Sequence, residues 1–125
     1  MQRIPGLYTA NAGDKGRGVF TSQQIQAGDL IEICPVIILP PSELHIIHKT
    51  ILHDYYFLWG EHPASCAIAL GYGSLYNHEV NPNAEFILDF ENNTIDIMAL
   101  RDIAAGEEIT INYHGASGEE GKLWF

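Results

Sequence analysis

A mostly β protein of small curled sheets and one helix is what this sequence predicts, and three observations carry the prediction. Short apolar runs alternate with segments rich in turn-forming Gly, Pro, Asn and Asp. Only one stretch repeats its apolar residues at helical spacing. The chain has 125 residues, 46% of them hydrophobic, which suits one domain with one core.

Taken in order, residues 17–21 (Arg-Gly-Val-Phe-Thr) follow Gly16 and read as a first strand. Residues 25–28 carry turn chemistry. Residues 30–39 form a longer β-rich run, and Pro35 within it predicts an edge strand or a bulge, because proline cannot donate to a ladder. Pro40-Pro41-Ser42 signals a helix start with Ser42 as N-cap, and Leu44, Ile47, Ile51 and Tyr55 extend the helix to about Phe57. Residues 67–71 are apolar but run into Gly-Tyr-Gly-Ser, a poor place for regular structure. Residues 85–90 and 94–100 flank Glu91-Asn92-Asn93 as a β-hairpin. After a turn at 104–107, Ile109, Ile111 and Tyr113 alternate along a last strand.

Six Lys and Arg against sixteen Asp and Glu give a net charge of −10. Such a surface repels phosphate backbones, so no direct nucleic-acid binding is expected, and it attracts basic peptides. Solubility alone also accounts for the charge. Cys34 and Cys66 sit in apolar surroundings and read as small buried hydrophobes. No leader pattern opens the chain and no apolar run reaches the ~20 residues of a membrane span, so a soluble intracellular protein is expected. The apolar edge at 36–39 is a candidate homodimer contact.

Three segments carry local chemistry. In Asp14-Lys15-Gly16-Arg17-Gly18-Val19-Phe20, glycines flank a basic residue, which lets backbone approach a ligand and lets Lys15 or Arg17 meet a carboxylate; taken alone, these residues read first as a plain turn. In residues 75–83 (Leu-Tyr-Asn-His-Glu-Val-Asn-Pro-Asn), Asn, His and Pro favour side-chain-to-backbone bonds, either as a buried polar crossing at a ligand or as a polar loop. In residues 99–113 a turn with paired acids feeds an apolar strand ending in Tyr113. A terminal tyrosine is also a common plug at a core edge. His45 and His48, with His53 beyond, invite a metal, yet neither a zinc-protease pattern nor a cysteine pair accompanies them, and they read as helix-surface residues.

In this order and spacing the three segments resemble the SET domain of protein lysine methyltransferases, from about Lys15 to Tyr113. Gly-Arg-Gly-Val-Phe looks like the opening cofactor loop. Asn77-His78 with Asn81-Pro82-Asn83 looks like the Asn-His and Pro-Asn signature, and Arg101-Asp102-Ile103 through Gly106-Glu107-Glu108-Ile109 to Tyr113 looks like the closing motif. Length and layout are similar to the stripped-down viral and bacterial members.

The resemblance implies a SET fold over residues 1–116, with a C-terminal knot-like crossing in which residues 77–79 pack against the strand ending at Tyr113. It implies S-adenosylmethionine held by Gly16, Arg17 and Gly18 and by Asn77 and His78, with Lys15 or Arg17 on its carboxylate. Tyr55, with Tyr56 as the alternative, becomes the aromatic beside cofactor and lysine. Tyr113 touches both and is the implied catalytic residue. Ile111, two before it, would line the lysine channel; being unable to hold a water there, it favours di- or trimethylation. Residues 117–125 are a tail, and Leu123-Trp124-Phe125 either covers the channel, with Trp124 in its wall, or frays.

The implied substrate is a lysine in a basic protein, such as a histone-like tail. Three departures stand out: Glu79-Val80 replaces the usual Ser-Cys, His114 intervenes before Gly115, and the cysteine-rich zinc segments are absent, so no metal is expected. A SET-like module that binds a basic peptide without turnover is the alternative, and cofactor binding separates the two.

Overall fold

The computed structural model describes residues 2–60 and 65–114. Nine strands follow one another along these residues: β1 (Leu7–Asn11), β2 (Arg17–Thr21), β3 (Leu30–Leu39), β4 (Tyr56–Trp59), β5 (Ser65–Ala69), β6 (Asn77–His78), β7 (Ala84–Asp89), β8 (Thr94–Ala99) and β9 (Glu108–Ile111). One α-helix, α1 (Pro41–His48), lies between β3 and β4, and short 3-10 turns occupy Gly13–Lys15, Ile51–Asp54 and Gly73–Leu75. The strands form two sheets, in the orders β1-β2-β9-β6 and β4-β5-β3-β8-β7. The expected mostly β architecture is therefore observed.

Local chemistry explains the elements that sequence reading anticipates. The β7–β8 hairpin turns where the Asp89 carboxylate accepts the backbone N–H groups of Glu91 and Asn92, both at 3.1 Å, and where Asn93 takes φ 56°, a conformation asparagine tolerates. Along β8, Ile95, Ile97 and Ala99 are buried while Thr94, Asp96 and Met98 are not, the alternation of a strand with one face on a core. That core is shared by both sheets: Val19, Ile109 and Ile111 from the first meet Ile31, Cys34, Phe57, Ala67, Ile95 and Ile97 from the second.

Four expectations are corrected. The helix ends at His48, not near Phe57, because Thr50 is extended (φ −104°, ψ 175°) and its hydroxyl accepts the Leu52 N–H at 3.1 Å, starting a separate turn. Tyr56 and Phe57 belong instead to β4, paired with β5, which the sequence reading left irregular. Its N-cap is Pro40 with Pro41 as first helical residue; Ser42 is already inside. The N-terminal strand β1, paired along its length with β2, was not anticipated at all.

Pro35 marks neither an edge nor a bulge. Strand β3 is the centre of its sheet and changes partner along its length: residues from Leu30 to Pro35 pair with β8, and those from Val36 to Leu39 pair with β5. Pro35 stands at the exchange, where its missing N–H costs nothing to either ladder and its carbonyl accepts the Leu70 N–H at 2.9 Å. The one irregularity of register lies between Leu30 and Glu32. Residues 36–39 are thus paired on the β5 side, although Ile37 and Ile38 leave 52% and 40% of their surface exposed. Among the described residues no helix is long and apolar enough to cross a membrane.

Candidate active site

Strand β9 enters the first sheet between β2 and β6. It runs antiparallel to β2, with Val19 opposite Ile109, and parallel to β6, with Asn77 opposite Thr110 and His78 opposite Ile111. The Glu79 N–H continues this ladder to the Ile111 carbonyl at 2.9 Å. Further along, Asn83 is 2% exposed and stands in for a strand: its Oδ1 accepts the Thr110 N–H at 2.8 Å and its Nδ2 donates to the Glu108 carbonyl at 2.8 Å. The two motifs singled out near the C-terminus are therefore laced together by backbone and amide bonds, with residues 77–79 against the strand that leads to Tyr113.

A cavity of about 390 Å³ opens beside this junction. Lys15, Gly16 and Arg17 line it together with Asn77, His78 and Tyr113, and Tyr55, which closes the turn at Ile51–Asp54, completes the wall with Asp54. Gly16 takes φ 79° and ψ −142°, open essentially to glycine alone, and nothing lies within 4 Å of where a Cβ would stand. Its backbone is thereby presented to the cavity without a side chain in front.

Gly18 does not line the cavity. A Cβ there would collide with the Glu108 carboxylate and come within 2.7 Å of Asn77 Nδ2. Its role is to leave room for the 2.8 Å bond from Asn77 Nδ2 to Glu108 Oε2, which with a 3.3 Å bond to the Arg17 carbonyl fixes the Asn77 amide. Tyr56 is also turned away: it is 3% exposed, and its hydroxyl lies 3.1 Å from His48 Nδ1. Ile111 is fully buried in the core and absent from the cavity wall, so the geometry gives no support to a part in product number. Trp124 and the rest of the tail lie outside the described residues.

The cavity's electrostatics are two-sided. Lys15 Nζ is 3.2 Å from Glu79 Oε2 and 3.8 Å from Glu108 Oε1, so Glu79, standing where a serine was expected, takes up part of this cation. The Lys15 hydrogen bond and charge hold the Glu79 carboxyl below its ordinary range. Arg17 also faces the cavity, and Asp54 is on the wall with Tyr55.

Tyr113 is fixed at both ends. Its hydroxyl donates to the Tyr76 carbonyl at 2.8 Å, and its backbone N–H donates to His78 Nδ1 at 3.0 Å. Burial, reinforced by the charges of Asp54 and Glu108 and by Tyr55, pushes the phenol up to about 12, so it stays protonated at neutral pH.

Accepting the Tyr113 N–H requires His78 Nδ1 to be unprotonated, with the ring proton on Nε2. Burial lowers the His78 pKa below its ordinary 6.5, with His114 and Lys15 adding to the effect and Glu79 opposing it. The folded state therefore binds this proton less readily than the unfolded chain. The stabilisation is complete above about 6.5, the unfolded value, and is lost as pH falls through the lower folded value. An NMR titration of the His78 ring should give a midpoint below 6.5, with the melting temperature declining over the same interval. A midpoint at or above 6.5 would contradict the bond.

Several residues of the site were missed from sequence. Asp54, Ser74 and Leu75 line the cavity, Tyr76 holds Tyr113, and Glu108 holds Asn77. Asp54 adjoins the aromatic pair already singled out, and Glu108 is one of the paired acids of the closing segment. Leu75 and Tyr76 open the segment 75–83 singled out above without a role of their own, and Ser74 lies just before it; only the fold turns Ser74 and Leu75 to the cavity.

The SET domain family profile matches residues 16–114. A curated relative, the histone-lysine N-methyltransferase specific for H3 lysine-37 of Schizosaccharomyces pombe, is 38% identical over 112 residues, covering 89% of this chain and 71% of that protein. Among solved structures, a Plasmodium falciparum protein assigned as a histone methyltransferase superposes with a TM-score of 0.73 at 30% identity, covering 99% of this chain and 98% of that one.

Proposed function

Because the chain belongs to the SET-domain family and is a protein-lysine methyltransferase, we propose that its cavity takes S-adenosylmethionine and that it methylates a lysine of a basic, histone-like protein. The observation that carries this reading is the convergence of Gly16, Arg17, Asn77, His78 and Tyr113 on one cavity.

The residues present fit such a cofactor. Its volume and its open Gly16 backbone leave room for a small molecule, and Arg17 with Lys15 supplies the positive side that a carboxylate needs. Backbone groups of Gly16, Asn77 and His78 are the candidates to hold the rest. Bound there, S-adenosylmethionine would supply an activated methyl group on a sulfonium, with the thioether as its leaving group.

The chain's own contribution is orientation and desolvation. Tyr113 gives its only hydroxyl proton to the Tyr76 carbonyl, so the oxygen turns its lone pairs elsewhere and can accept from an amine. Tyr113 positions the nucleophile and takes no proton from it, since it already carries its own. A free lysine titrates near ~10.4, and a partly dry wall of Tyr55 and Tyr113 favours its neutral, reactive form. The net charge of −10 favours encounter with a lysine-rich substrate, and the fission-yeast relative's histone specificity agrees with that class.

The test is calorimetric titration with S-adenosylmethionine, wild type beside Asn77→Ala. Binding in the micromolar range, weakened about tenfold or more in the variant by loss of the amide that ties Arg17 to Glu108, is expected. No binding to wild type at millimolar cofactor would overturn the cofactor assignment.

A further inference from the structure

Glu32 is out of character with its surroundings. It lies in the central strand β3 among Ile31, Ile33 and Cys34, and it is 3% exposed. A carboxylate there is costly unless its lone pairs are met, and an apolar residue of similar size would suit the strand better.

Two of its partners come from one short stretch, residues 71–76. Tyr76 Oη donates to Glu32 Oε1 at 2.7 Å, the Tyr72 N–H donates to Oε2 at 3.0 Å, and Arg3 Nη1 stands 3.8 Å from Oε2. The Arg3 guanidinium also lies over the Tyr72 ring, 4.2 Å from its centre. Gly71 (φ 65°) turns so close to the carboxylate that a Cβ would overlap it. One buried acid thus grips residues 71–76 at both ends. Those residues present Ser74 and Leu75 to the cavity and deliver the Tyr76 carbonyl to the Tyr113 hydroxyl.

We propose that Glu32 is a positioning residue for methyl transfer: by fixing Tyr76 through its hydroxyl, it sets the carbonyl that aims the Tyr113 hydroxyl into the cavity. The proposal rests on the reading of Tyr113 as the residue that touches the reacting groups. Glu32 touches none of them and acts only through the Tyr76 main chain. The two hydrogen bonds its carboxylate accepts, from the Tyr76 hydroxyl and the Tyr72 N–H, fix both ends of the turn, and Arg3 adds a third contact.

The experiment uses the full chain with S-adenosylmethionine and recombinant histone H3, following product by mass spectrometry. Four forms are compared with wild type: Glu32→Gln, Tyr76→Phe, Tyr113→Phe and the Glu32→Gln/Tyr113→Phe double variant. Tyr76→Phe leaves Glu32 with Tyr72 and Arg3, so it stays informative if Glu32→Gln folds poorly.

Loss of kcat by roughly tenfold or more in Tyr76→Phe and Glu32→Gln, with KM and cofactor Kd within about twofold of wild type, is the expected result. With the Tyr113 hydroxyl already gone, Glu32→Gln should add little further loss, because there is nothing left to aim. A merely structural role would instead multiply the two losses, or would move Kd and kcat together with the melting temperature. Either pattern, or wild-type kcat in both single variants, overturns the proposal while leaving Tyr113 in place. Wild-type turnover by Tyr113→Phe would remove the underlying reading, and this proposal with it.

Discussion

Tyr113→Phe is expected to lose about a hundredfold or more of kcat while keeping its fold, since precise placement of one polar group is worth that much in comparable sites. The hydroxyl is the only atom removed. Its 2.8 Å bond to the Tyr76 carbonyl goes with it, and a single such bond is worth ~1 kcal/mol of net stability. The ring stays packed against the core, and the backbone bond to His78 is untouched. Initial rates and a thermal melt of the same preparation separate the two effects: a collapse in rate with a shift of only a few degrees is the predicted pair. Because the phenol sits at about 12, its ionisation should place no limb in the wild-type rate profile near neutral pH. Wild-type turnover in the variant would take Tyr113 out of the mechanism.

The largest effect on stability is expected from Asn83→Ala. This side chain is 2% exposed and replaces a missing strand along part of β9, accepting from the Thr110 N–H and donating to the Glu108 carbonyl. Alanine removes both bonds and leaves those backbone groups buried without them. The cost is about 3 kcal/mol, a large share of the ~5–15 kcal/mol that holds a domain of this size together. The melting temperature should fall by about 10 °C. Asn83→Asp should not restore it, because the retained oxygen can still accept from Thr110 but the second oxygen would face the Glu108 carbonyl and the Glu107 carboxylate, which now take the amide's hydrogens. A denaturant midpoint within a few tenths molar of wild type would show that β9 holds its place without the asparagine.

Much of this was readable in advance where the signal is local. Glu91-Asn92-Asn93 between two β-rich runs gave the β7–β8 hairpin, and the ordered motifs with the aromatic beside them named Lys15, Gly16, Arg17, Tyr55, Asn77, His78 and Tyr113, all of which line the cavity. The failures share a cause in distance along the chain. Tyr55 falls at helical spacing from Ile51, and nothing nearby shows that the next residues will be drawn into β4 by pairing with β5. Pro35 looked like an edge because the sequence does not reveal that β3 changes partner there. Gly18 was read as an approach to ligand, when the atoms it makes room for come from Asn77 and Glu108. Glu32 was visible as an acid in an apolar run, but its meaning depends on Tyr76, 44 positions away.

The place of β9 bears on how such a site comes into being. It is the last strand of the described chain, yet it lies inside its sheet, with β2 on one flank and β6 on the other. During synthesis the pieces of the cavity emerge early, but Asn77 and His78 have no ladder to join until residues 108–111 arrive, and Tyr113 follows them. A nascent chain that stops short of β9 can build much of the second sheet and still lack the strand that Asn77 and His78 pair with. Assembly and competence are therefore completed by the same event, the insertion of one four-residue strand.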